Sequence, residues 1–153
     1  MSELMDDYLA CILDEAEARS MCAVVRSPAE SSAVSARVSA GELVRPRHGL
    51  FVRSDYWRAL MPEGQMLHVA KALGHLHEPW VFSHATAAFA YGLAASYRHL
   101  DPIHYLVEGS TGGRSGRGIC RHSSQRAPSV LVGDLRVTTP LRTIADCCLS
   151  LPF

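Results

Sequence analysis

The stretch Ser31–Val52, SSAVSARVSAGELVRPRHGLFV, constrains this chain most. It reads as a short helix, a stop and a basic hairpin. Ser31 or Ser32 can cap the helix, because a serine oxygen accepts from a backbone N–H that has no partner within the helix; Pro28 or Ala29 is the other possible start. Val34 and Val38 lie one turn apart, Ala33 and Arg37 form a second row, and Ser32, Ser35 and Ser39 form a small polar side. Gly41 falls just past the helix, where glycine accepts a left-handed backbone cheaply. Leu43-Val44-Arg45 and Gly49-Leu50-Phe51-Val52 then read as two strands joined by Pro46-Arg47-His48-Gly49.

A small-faced helix followed by an arginine-tipped hairpin is the pattern of a winged helix-turn-helix, with the helix in a DNA major groove and the hairpin along the backbone. Serines let a helix sit deep in the groove and still hydrogen-bond. Ser32, Ser35 and Arg37 are the candidate groove residues, and Arg45, Arg47 and His48 the candidate wing contacts to phosphates or a narrow minor groove. The alternative is a helix and hairpin with ordinary solvated arginines.

Charge distribution carries more than net charge, which is formally zero. Residues 1–30 balance at −5, residues 31–60 at +3 and residues 110–142 at +5. Of the 15 basic residues only Lys71 is a lysine, and arginine's planar fork suits phosphate. At 153 residues and 48% hydrophobic, the chain suits one medium domain or two small ones rather than a disordered polymer. Five cysteines without regular spacing, an acidic N-terminus without an apolar run and no long apolar stretch lead us to expect a cytoplasmic protein with reduced thiols and no membrane span. Cys11 and Cys22 are both expected to be buried.

Met5 to Ala18 is expected as a first helix whose acidic face points away from DNA. Met21–Val25 suits a second helix or a brief buried strand, and Ser54–Gly64 a connector. The expected organisation is α+β: a winged helix-turn-helix over 1–60 and a small mixed α/β domain over 61–153, with helices at 63–77, 83–92 and 140–150. Ser83 is expected to cap the middle helix. Ile103–Val107 reads as a strand, and Val130–Leu131–Val132 with Leu135–Thr138 as a hairpin about Gly133-Asp134. Thr139 and Pro140 open the last helix, with Leu141, Ile144, Ala145 and Cys148 as its core face and Arg142 paired to Asp146.

No catalytic set is legible. Residues 110–118, STGGRSGRG, lack the Gly-Lys-Ser/Thr of a P-loop and read as a flexible basic loop, or as a second backbone contact through Arg114 and Arg117. His75 and His77 point to different faces of a helix. Cys120 and His122 can share a strand face, but no second pair completes a metal site. The expectation is therefore no metal, no cofactor and no enzyme. Thr138, Thr139, Arg142 and Asp146 read as capping and packing residues.

Three stretches resemble the AbiEi group of type IV abortive-infection antitoxins. They are SAGELVRPRHGLFV (Ser39–Val52), SHATAAFAYGL (Ser83–Leu93) and LRVTTPLRTIADCC (Leu135–Cys148), in that order, and together they span most of residues 30–148. The resemblance implies an N-terminal winged helix on operator DNA and an α/β domain that supports repression. It also implies autorepression of a toxin–antitoxin operon in phage defence, and a functional link, without a stable complex, to a nucleotidyltransferase-like toxin. Operators in that family are repeated or inverted, which suits a homodimer. Residues 1–30 depart from the pattern, since Met21–Val25 is shorter than the second helix the family has. Many relatives continue beyond the last helix, some into a nuclease-like domain. Two other readings stay open: a protein-interaction module docking a toxin or itself, and the front part of a nuclease-like protein, which here lacks an Asp…Glu-x-Lys cluster.

Overall fold

The computed structural model describes residues 2–93, 95–109 and 111–151, and it forms two compact α+β units, Met1–Ala72 and Leu73–Phe153. Among the described residues, no helix is long and apolar enough to cross a membrane.

The first unit begins with α1 (Ser2–Ala18), which buries Leu9, Leu13 and Ala16 along one face. The chain then forms β1 (Ala23–Val24), α2 (Pro28–Ser39), β2 (Leu43–Arg47) and β3 (Leu50–Arg53). The three strands make an antiparallel sheet in the order β1-β3-β2. The central strand is the most apolar, and its Leu50, Phe51 and Val52 are almost fully buried.

Local chemistry sets the ends of α2. It starts earlier than Ser31: Ser27 is the cap, its Oγ accepting from the Glu30 N–H at 3.2 Å, with Pro28 in the first helical position. Glu30 reaches back to accept from the Arg26 N–H at 2.7 Å and from the Tyr8 hydroxyl at 3.3 Å, so this buried carboxylate is satisfied. At the other end Gly41 has φ +80°. The N–H groups of Gly41 and Glu42 donate to the carbonyls of Val38 and Arg37, both at 3.0 Å, closing a Schellman motif as the glycine predicts.

Several expectations change in this unit. The turn between β2 and β3 is narrower than four residues: Arg47 pairs with Leu50, leaving His48 and Gly49 at the tip, and Pro46 sits within β2 where the register shifts. Proline lacks a ladder donor, so it is tolerated at such an irregularity. Residues Ser54–Ala59 form a short helix, α3, instead of a plain connector. Cys11 is exposed while Cys22 is buried, and burial pushes the Cys22 thiol up to about 12. A single helix, α2, stands between β1 and β2, and β1 separates it from α1.

Helix α4 (Pro62–Leu76) crosses the border between the units. The border lies later than the Pro62 position expected from the sequence. Within the first unit its His68 is buried, with Nδ1 2.7 Å from the Gly64 carbonyl and Nε2 2.8 Å from the Tyr56 hydroxyl. A carbonyl only accepts, so the proton is on Nδ1 and Tyr56 donates to Nε2.

The second unit is a mixed sheet in the order β6-β7-β5-β4-β9-β8. Its strands are β4 (Val81–Phe82), β5 (Ile103–Leu106), β6 (Arg114–Gly116), β7 (Ile119–His122), β8 (Ser129–Val132) and β9 (Leu135–Thr138). β5 runs parallel to β7, and β4 parallel to β9. Helices α5 (His84–Ala90) and α6 (Pro140–Ser150) pack on each other, and the Tyr91 hydroxyl just after α5 donates to the Thr138 carbonyl at 2.7 Å. The glycine-rich segment is not a plain loop. Residues 114–118 supply β6 and the turn, with Gly118 at φ +67°, that leads into β7 of an edge hairpin, while residues 111–113 are irregular and Ser110 lies outside the described residues.

The face of α6 is the clearest correction. Leu141 is 80% exposed and Ile144 54%, while Thr143 and Asp146 are buried. Polar partners orient this helix. The Thr143 hydroxyl lies 2.8 Å from that of Thr138 and 3.1 Å from the Thr138 carbonyl, and Asp146 accepts from Arg142 at 2.8 Å. Pairing those groups offsets the cost of leaving Leu141, Ile144, Ala145 and Cys148, the side expected to face the core, exposed.

Two measurements check this packing. Phe51→Ala should cost about 3–5 kcal/mol in urea unfolding, whereas Leu131→Ala, at an exposed site, should stay within about 0.5 kcal/mol. Burial lowers the His68 pKa below 6.5, against the pull of its Gly64 bond. The folded ring therefore takes a proton less readily than the unfolded one, so its contribution is full above pH 6.5 and declines as pH falls below that. An NMR titration should give His68 a midpoint below 6.5, and Tyr56→Phe, which removes the donor to Nε2, should raise it.

Candidate functional site

Two groups of polar residues stand out, one in each unit. In the first unit the serine side of α2 is solvent-facing: Ser32, Ser35 and Ser39 are all exposed. The Ser35 hydroxyl donates to the Ser31 carbonyl at 2.8 Å, and Ser39 to that of Ser35 at 3.1 Å. Their protons are thus committed to the helix, and their lone pairs face outward. One is used: Arg45 Nη2, from β2, donates to Ser35 Oγ at 3.0 Å. That bond links the hairpin to the helix face. The buried Nε of Arg45 has no hydrogen-bond partner. His48 is exposed at the hairpin tip, and Arg47 is half-buried at the end of β2.

Arg37 differs from the other candidates. It pairs with Asp6 of α1 and so is turned away from the serine row. Arg53 is similarly engaged, bridging Asp14 at 2.8 Å and Glu17 at 3.0 Å. The acidic face of α1 thus neutralises two of the arginines that make residues 31–60 basic. The structure brings Ser35 and Arg45 together on one surface, with Ser32 on the same side of α2. Arg117 is exposed at the β6–β7 turn of the second unit. Arg114 has its backbone in β6, and its side chain lies outside the described residues.

The second unit assembles a group that the sequence did not announce. His84 opens α5, His104 lies on β5 and His122 on β7. One ring nitrogen of each lies within 4.8 Å of the other two. His104 Nδ1 is 2.9 Å from His122 Nε2, and the His84 ring stacks on His122 with centroids 3.7 Å apart. His84 has φ +52°, a left-handed backbone that a side-chain-bearing residue rarely adopts. Its Nδ1 is 2.9 Å from Ser83 Oγ and 3.9 Å from Asp146 Oδ2. Asp146 Oδ1 accepts from Arg142, whereas the buried Oδ2 has no hydrogen-bond partner.

Burial pushes His84 down to about 4, with His122 adding to the effect and Asp146 opposing it. Burial and the neighbouring His122 push His104 to about 4, and burial lowers His122 against the pull of Asp146. At neutral pH all three are uncharged imidazoles. Each keeps one nitrogen lone pair able to bind a proton or a metal ion.

Nothing in the sequence marks this group, because its members are 20 and 18 residues apart, on three different elements. Strand pairing brings β5 and β7 together, and the bonds that fasten α5 to β5 add His84. Ser83 and His84 follow β4, whose Phe82 pairs with Tyr105, and parallel β7 sets Cys120 beside His104 and His122 beside Leu106. Two of the three family-like stretches, around Ser83-His84 and Arg142…Asp146, do supply a histidine and the carboxylate. Arg142 pairs with Asp146 as expected. Compared with protein-family models, with curated proteins and with solved structures, the chain finds no significant match.

Proposed function

We propose that this protein is a DNA-binding transcriptional regulator, and that its first unit acts as a winged-helix-like module. In this reading α2 enters the major groove with Ser32 and Ser35 towards the bases, while Arg45, Arg47 and His48 of the hairpin meet the backbone. The observation that carries it is the Arg45–Ser35 bond at 3.0 Å, which couples an arginine-bearing hairpin to an exposed helix face lined with small polar residues. The strand order β1-β3-β2, with the hairpin directly after the helix, also suits a wing. Arg37 takes no part, being held by Asp6. The likeness to AbiEi antitoxins extends the proposal to autorepression of a toxin–antitoxin operon, with a nucleotidyltransferase-like toxin as functional counterpart and a homodimer on repeated operator sites. Arg114 and Arg117 are a secondary backbone contact in this scheme.

A second reading, a module that docks another copy of this chain through its second unit, has one observation in its favour. Leu141, Ile144 and Leu149 of α6 are 80%, 54% and 89% exposed, apolar side chains spread over the broad solvent side of one helix.

Fluorescence anisotropy on duplex DNA from upstream of the gene tests the first reading. Binding should weaken with salt, and Arg45→Ala with Arg47→Ala should lower the log–log salt slope by about 1.8, roughly 0.9 for each phosphate no longer neutralised. Arg58→Ala, on α3, outside the proposed contact set and paired with Asp55, serves as control. Unchanged affinity in the double variant would remove the hairpin from the interface. For the second reading, light scattering should show a dimer that Leu141→Glu with Ile144→Glu converts to monomer.

A further inference from the structure

We propose that His84, His104 and His122 bind one divalent transition-metal ion of the zinc class, with Asp146 as the positioning carboxylate behind His84. The site lies wholly within the second unit.

The chemistry of the donors selects the ion. Three neutral imidazoles suit Zn²⁺, Co²⁺, Ni²⁺ or Cu²⁺, whereas Ca²⁺ and Mg²⁺ require oxygen ligands. Three protein nitrogens with a fourth position left to water is a common arrangement for an accessible zinc ion, and His104 and His122 are only half-buried.

One of the three nitrogen–nitrogen distances is already close to that required, and His84, whose ring now stacks on His122 with a nitrogen within 4.8 Å of the other two, must tilt out of that stack to join them. Two nitrogens bound to one tetrahedral zinc at about 2.05 Å each stand about 3.3 Å apart. His104 Nδ1 and His122 Nε2 are 2.9 Å apart, so they need to open by a few tenths of an ångström, well within side-chain freedom. In the metal-free protein one of these two nitrogens carries the proton of their hydrogen bond. Binding moves that proton to the far nitrogen of its own ring, so both lone pairs then face the ion.

Asp146 is the second, separate observation. Its Oδ1 is held by Arg142 at 2.8 Å, which aims Oδ2 at His84 Nδ1 across 3.9 Å, yet that buried oxygen accepts no hydrogen bond. A buried carboxylate oxygen without a donor calls for an explanation. Metal-ligating histidines usually donate their other N–H to a carboxylate, which fixes the ring and strengthens the ligand. A metal-bound His84 turned slightly from Ser83 supplies the donor that Asp146 lacks. The left-handed backbone at His84 fits the same reading, since it turns the first residue of α5 towards β5 and β7 instead of leaving it to extend the helix.

The test uses the full chain freed of metal by chelator dialysis. Calorimetric titration with zinc chloride should show one ion per chain, and Co²⁺ should give the visible absorption of a tetrahedral nitrogen site. His104→Ala and His122→Ala should each weaken zinc binding at least about 100-fold, and Asp146→Asn about 10- to 100-fold, as for other outer carboxylates. His75→Ala, at an exposed position, should leave it unchanged. Circular dichroism checks that each variant is folded. Long-range imidazole ¹H–¹⁵N spectra of the wild-type chain provide a readout without mutation, and zinc should move the resonances of three histidines together. Absence of saturable zinc binding, or full affinity retained in folded His104→Ala and His122→Ala, would overturn the site and leave the three rings as a hydrogen-bonded packing cluster.

Discussion

The second unit depends on how the backbone of His104 is shared. Its N–H donates to Thr86 Oγ1 at 2.9 Å, and its carbonyl accepts from the Ser83 N–H at 3.0 Å. These bonds fasten the start of α5 to β5 and draw the His84 ring towards those of His104 and His122. They also explain why Ser83 and Thr86 are buried despite their polarity. Each buried polar atom with a partner adds modest stability, and the same atom left bare costs considerably more. A network of this kind therefore specifies one arrangement over others that bury equal apolar area.

The same principle governs α6. Its hydrophobic residues suggest one orientation and its hydroxyls and carboxylate another, and the polar set prevails through Thr138, Thr143, Arg142 and Asp146. The helix then presents Leu141, Ile144 and Leu149 outward. In the first unit the balance is electrostatic. Acids on α1 engage Arg37 and Arg53, so local basicity in the sequence overstates the positive charge left for a partner. Arg45, bonded to a neutral serine, keeps its charge uncompensated by that contact.

Much of the framework was legible before folding was considered, wherever the signal is local. α1 follows from Leu9, Leu13 and Ala16 at helical spacing, the end of α2 from Gly41, the β8–β9 hairpin from Gly133-Asp134, and the start of α6 from Thr139-Pro140. Where the sequence left alternatives open, the choice between them has local causes as well. Ser27 is as good a cap as Ser31 and is followed by proline, which decides between them. The glycines of 110–118 suggested looseness, yet two short strands need only a tight turn between them, and Gly118 provides it.

The sequence by itself determined the α+β character, the places of most helices and hairpins, and the exposed serine row of α2. These rest on periodicity, caps and turns, which act over a few residues. Only the tertiary structure decided which arginines stay available, which side of α6 is buried, and that three separated histidines meet beside Asp146. Those outcomes rest on the parallel pairing of β5 with β7, on the seating of α5 against the sheet, and on the packing of α6 against α5 with its Thr143 bonded to Thr138. Contacts between distant segments leave no period in the chain, because strand register and helix orientation are chosen by which buried groups find partners once the whole unit closes.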